Sequence, residues 1–113
     1  MTMTKFRTYD DALTLVELMC GLWDKVGRHN RDLKKQMERA ATSVPMNISE
    51  GINRKGGHQR ERFETAMGSA RECIAALETS CRAKYLSRNE CEAAIRCADG
   101  IAAALWCCLY RRG

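Results

Sequence analysis

"QMERAATSVPMNISEG", residues 36–51, holds the only proline of the chain, Pro45, inside a stretch whose apolar residues keep helical spacing. Leu33, Met37, Ala40, Ala41, Val44, Ile48 and Ile52 line one helical face before and after the proline, without a change of phase. An interior proline removes one backbone hydrogen bond and clashes with the preceding turn, at a cost of ~3 kcal/mol in a plain helix. Here it leaves the Ala41 carbonyl without its usual donor. The spacing therefore predicts one long helix, kinked at Pro45 so that it curves around its neighbours. Arg39, Ser43, Asn47 and Glu50 fall along one side of that helix, beside the apolar stripe, where polar groups can reach the disturbed turn.

Three more helices are predicted around this one. The first covers residues 8–26, with Asp10 and Asp11 in its first turn. Its apolar residues span about 220°, against the ~100° that a surface helix needs, so it is covered from more than one side. The third runs over residues 58–84, after a Gly56-Gly57 joint, with Phe63, Met67, Ala70, Ile74, Leu77 and Cys81 on one stripe. The fourth opens with Ser87-Arg88-Asn89-Glu90, a capping box, and is apolar almost all round from Ile101 until Arg111 and Arg112. No segment has strand periodicity. The expected fold is a single all-α domain over residues 1–113, an up-down-up-down antiparallel four-helix bundle. The over-wide apolar faces of the first and last helices exceed one core, which predicts a homo-oligomer.

Composition narrows the function classes. The chain has 113 residues, enough for one core, and a net charge of +5 that permits an anionic partner without demanding one. Its start lacks the apolar run of a secretory signal, and residues 101–110 make about half of the ~20 residues of a membrane span. A soluble, cytoplasmic protein with no membrane association is expected. The seven cysteines form no CxxC pair and have no histidine at ligand spacing, so they read as reduced thiols acting as small hydrophobes.

The segment from Gln36 to Glu72 resembles a known family. It contains Gln36, Arg39-Ala40-Ala41, Ser43-Val44-Pro45, Asn47-Ile48-Ser49-Glu50-Gly51, Arg54, Phe63 and Gly68-Ser69-Ala70-Arg71-Glu72 at fixed spacing. This pattern is similar to that of the small four-helix-bundle proteins encoded in intervening sequences of bacterial large-subunit ribosomal RNA genes. Ile74 departs from it, standing where an acid often follows the Gly-Ser-x-x-Glu motif. The resemblance implies a ring-shaped homopentamer. It also points to a related group, the accessory variability proteins of diversity-generating retroelements, which are basic pentamers that bind a reverse transcriptase and RNA.

Neither His29 nor His58 lies in a Glu-x-x-His motif, and there is no Ser–His–Asp set, phosphate-binding glycine loop or Cys–His arrangement. No catalytic residue, cofactor or metal is expected. Arg39, Ser43, Asn47 and Glu50 are instead predicted to form a buried or half-buried structural network with Glu72, in which loss of a charged partner costs ~3–5 kcal/mol. Basic residues supply the other lead: Lys34 and Lys35 near one end of the second helix, and Arg54, Lys55, Arg60 and Arg62 around the Gly-Gly joint. The main expectation is a non-enzymatic, homo-oligomeric interaction scaffold whose protein partner the residues do not name. The alternative is an RNA- or DNA-binding accessory protein using those basic residues, in company with a reverse transcriptase or ribosomal RNA.

Overall fold

The computed structural model describes the backbone of residues 2–111 and the side chains of residues 5–111. Four α-helices make up the fold: α1 (Thr2–Gly27), α2 (Arg31–Ile52), α3 (Gly56–Arg82) and α4 (Arg88–Tyr110). There is no strand among the described residues. Each helix packs on its neighbour in the chain, and α4 returns to α1, so the four enclose one core. Leu15, Met19, Met37, Ile48, Leu77, Ile101 and Leu105 fill it, each worth about 1.5–3 kcal/mol when removed from water. Ala12, Ala40, Ala41, Ala66, Ala70, Ala94 and Ala98 lie between them and let the helix axes approach closely.

α2 is continuous through Pro45, as its periodicity predicts. Its first turn is closed by Asn30, whose side chain accepts from the Leu33 N–H at 2.9 Å. Pro45 is itself buried with Ala41, Val44 and Ile48, so ring burial offsets part of the lost hydrogen bond. Gly51, one residue before the end of α2, packs tightly against α3. A Cβ there would sit 2.6 Å from Phe63 Cδ1 and closer still to Cε1.

Two boundaries differ from the sequence reading. α1 begins at Thr2 rather than residue 8. Its early turns gain tertiary support that periodicity does not report: the Lys5 ammonium reaches Gln59 Oε1 at 3.4 Å and lies 5.8 Å from the Phe63 ring centroid. α3 begins at Gly56 rather than His58, with Gly56 at φ 58°, a conformation glycine takes without strain. Gly56 and Gly57 thus form the first turn of α3, not a joint before it.

α3 stops in a Schellman motif. The Tyr85 N–H bonds the Ser80 carbonyl at 2.9 Å, and the Lys84 N–H bonds the Cys81 carbonyl at 3.1 Å. Lys84 occupies the left-handed position, φ 66°, that glycine usually fills. α4 then starts on the expected capping box: Glu90 N–H donates to Ser87 Oγ at 3.3 Å, and Ser87 N–H donates to Glu90 Oε2 at 2.8 Å. By length and composition α4 would suffice to cross a membrane, which the ten-residue apolar stretch alone does not suggest. Its Cys91, Ala94, Ala98, Ile101, Ala102 and Leu105 face the core.

Candidate functional site

The segment around Pro45 builds a polar tie between α2 and α3. Ser43 Oγ lies 2.8 Å from Ser69 Oγ on the facing helix. Asn47 Nδ2 donates to both the Ser43 carbonyl and Ser43 Oγ, each at 2.9 Å. Arg62 Nη1 donates to Asn47 Oδ1 at 3.2 Å. The Ser43 hydroxyl, with one proton and two lone pairs, can accept from Asn47 and still share a hydrogen bond with Ser69 in either direction. Ser43 and Asn47 are half-buried and Ser69 is buried, so the tie sits at the edge of the core.

The expected network is thus only partly assembled. Ser43 and Asn47 belong to it, and Ser69 and Arg62 complete it. Arg39, Glu50 and Glu72 do not. Arg39 and Glu72 are exposed and their side chains make no hydrogen bond or ion pair among the described residues, while the Glu50 carboxylate reaches Arg54, at 3.5 Å. The physical reason is desolvation: neutral hydroxyls and an amide satisfy one another at low cost, whereas buried charges need full compensation. Asn47 also bonds the Ser43 carbonyl rather than that of Ala41. The signals for the missing partners were present, Ser69 in the Gly-Ser-x-x-Glu motif and Arg62 among the basic residues.

This arrangement ties helices together and activates nothing. No carboxylate or imidazole lies within hydrogen-bond reach of either serine hydroxyl, and no group of three or more His, Cys, Asp or Glu among the described residues is placed to hold a metal. His29 stacks on Tyr85 with ring centroids 5.0 Å apart, joining two helix connections at one end of the bundle. Cys73 is fully buried, and burial first, then the Glu72 charge, push its thiol up to about 12.

The basic residues divide by partner. Arg60 donates to the Leu109 carbonyl at 3.0 Å and lies 5.0 Å from the Tyr110 ring, so it caps the C-terminus of α4. Arg54 pairs with Glu50, and Arg62 holds Asn47. Lys34 pairs with Asp24 at 3.2 Å. Lys35 and Lys55 are exposed and form no hydrogen bond or ion pair among the described residues.

Two apolar grooves mark the surface. One, of about 620 Å³, runs between α1 and α2 and is lined by Leu13, Val16, Pro45 and Met46, with Asp10 and Glu17 at its edge. The other, of about 350 Å³, lies between α3 and α4 and is lined by Ile74, Ala103, Trp106 and Cys107, with Arg71 and Asp99 beside them. Met46 is 68% exposed and Trp106 46% exposed. Because the helices neighbour one another in cyclic order, these grooves are on opposite sides. Sequence reading placed the free apolar surface on the first and last helices. α2 also contributes, through Met46, which sits next to Pro45 and off the buried stripe. Trp23, by contrast, is half-buried against the core.

The comparisons with known proteins agree with this architecture. A crystal structure of a Bacteroides thetaiotaomicron protein of unknown function, from the S23 ribosomal protein family, superposes with a TM-score of 0.83. The match covers 91% of this chain and 98% of that one at 21% identity, a likeness of fold. No curated protein matches the sequence. Neither finding indicates an enzymatic family. Residues 4–106 match the description of the 23S rRNA-intervening sequence proteins, nearly the whole bundle including the Pro45 segment. The chain belongs to the 23S rRNA-intervening sequence protein family.

Proposed function

We propose that the protein is a non-enzymatic, cytoplasmic scaffold, an up-down-up-down bundle that closes into a homo-oligomeric ring. The observation that carries this reading is the pair of apolar grooves on opposite sides of one chain. A self-complementary patch would give a twofold dimer, whereas two different faces joined head to tail give a ring when the rotation closes. The α1–α2 groove has Asp10 and Glu17 at its rim and the α3–α4 groove has both Arg71 and Asp99. Arg71 can thus meet an acid across the seam, while the apolar linings supply the main attraction. Trp106 is exposed and Cys107, Cys108 and Leu109 are only half-buried, so the last turns of α4 have apolar surface left for a neighbour. Five copies is the number implied by the family resemblance. Met46→Glu and Trp106→Glu, made separately, test the pairing: each should release folded monomer, because each removes one of the two faces. If both variants keep the parent's size in sedimentation, the reading fails.

A second reading, contact with RNA or DNA, draws on Lys35 and Lys55, which are exposed and bound to no other side chain. A ring would repeat each around its rim and multiply a weak attraction to phosphate. Arg54, Arg60, Arg62 and Lys34 are engaged within the chain and would contribute through their field. Lys35→Glu with Lys55→Glu should abolish binding and leave the fold intact. Undetectable binding of both nucleic acids by the parent at ~50 mM salt removes this reading.

A further inference from the structure

The connection between α3 and α4 brings together two cysteines that neither the scaffold nor the polar tie uses. Cys81, in the last turn of α3, and Cys91, in the first turns of α4, place their sulfurs 3.1 Å apart. Cys91 is fully buried, while Cys81 is half-buried and opens into a groove of about 540 Å³. Lys25, Lys84, Ser87, Arg88 and Glu90 line that groove around Cys81. Glu90 is matched by Lys25 at 2.8 Å, and Lys84 and Arg88 on the same groove have no ion-pair partner among the described residues. Lys84, three positions after Cys81 and in the left-handed turn that ends α3, lies on the wall of the same groove.

We infer that Cys81 and Cys91 form a thiol–disulfide exchange site that takes a small anionic disulfide and closes into an intramolecular bond. Cys81 acts first, being the sulfur an incoming molecule can reach. Its thiolate attacks one sulfur of R–S–S–R, the S–S bond breaks, and the departing sulfur leaves with the electron pair and takes up the thiol proton as R–SH. Cys91 then attacks the Cys81 sulfur of the mixed disulfide, and a second R–SH leaves with the Cys91 proton. Two protein thiols are oxidised by two electrons and one disulfide is reduced to two thiols. The sulfurs must approach by about 1 Å to reach bonding distance, a change within rotamer adjustment. Burial first, then the hydrogen bond and charge of Cys81, push the Cys91 thiol up to about 12.

Cys97, Cys107 and Cys108 are also half-buried, but no sulfur–sulfur contact besides that of Cys81 with Cys91 occurs among the described residues. Cys20 is exposed and, among the described residues, contacts the Glu17 carbonyl on its own helix and no second sulfur, so it forms at most a mixed disulfide. Fully reduced protein treated with oxidised glutathione and then digested with trypsin provides the test. The expected product links the peptide of residues 72–82 to that of residues 89–96, with no glutathione on either. Cys81→Ser should abolish the link and leave Cys73, in the same peptide, unmodified. Cys91→Ala should trap glutathione on Cys81, and Cys81→Ser, at a half-exposed position, carries the test alone if the buried variant fails to fold. Oxidised glutathione should react on the order of tenfold faster than the cationic disulfide cystamine at low salt, with the ratio falling as salt rises. Glutathionylation of Cys20 with no 72–82 to 89–96 link, or equal rates for the two disulfides, would overturn the inference.

Discussion

Gly51 has no room for a side chain, because the Phe63 ring lies where a Cβ would be and is itself 2% exposed and unable to swing into solvent. Gly51→Ala should cost ~1–3 kcal/mol in chemical denaturation, the usual penalty of an overpacked site. The Asn47 side chain makes three hydrogen bonds, two to Ser43 on its own helix and one accepted from Arg62 of α3. Asn47→Ala should cost about 1–2 kcal/mol, while Glu72→Ala should stay within about 0.5 kcal/mol of the parent, since its carboxylate is hydrated on the surface. The two variants side by side separate the observed tie from the charged network that the residue pattern suggests. Residue types announced that polar groups accompany Pro45 but not which of them turn inward. That choice depends on where each side chain falls relative to α3, a few tens of degrees of helix rotation that sequence spacing does not resolve.

At the level of elements, the α4 cap and the periodicity were the legible part. The α4 capping box is set by local chemistry, so it could be read residue by residue, whereas the Asn30 cap of α2 emerges from the structure. The starts of α1 and α3 could not be read so, because one rests on contacts of Lys5 with α3 and the other on a glycine conformation. The α4 cap also carries a pH dependence. Glu90 is held down at about 2, from an ordinary value near 4.5, chiefly by the Lys25 ammonium and then by the Ser87 N–H. A depressed carboxylate stabilises the fold above its unfolded pKa, and this contribution is lost as pH falls through the folded value. Stability should therefore decline between pH 4.5 and about 2, and Glu90→Gln should flatten that part of the curve in acid titrations followed by circular dichroism. An unchanged acid profile would show that the cap is not a source of acid sensitivity.

The whole molecule is a bundle with more apolar surface than one chain covers. Leu13, Leu18, Met46, Trp106 and Tyr110 remain exposed around a closed core. Hydrophobic patterning made the excess visible in the sequence, through the wide arc of α1 and the apolar surround of α4. It did not reveal that the excess is split into two opposite grooves, which follows only from the cyclic order of the helices. A stable interface needs roughly 1,000 Å² or more, and a Trp106 anchor seated in the Leu13–Met46 groove is the contact on which such an area would centre. Sedimentation velocity of the purified parent protein at ~1–10 μM tests the ring most directly, a range in which interfaces of that size hold together. The account predicts one species several times the 12.8 kDa chain mass, with no stable monomer. A single folded species at 12.8 kDa would contradict it.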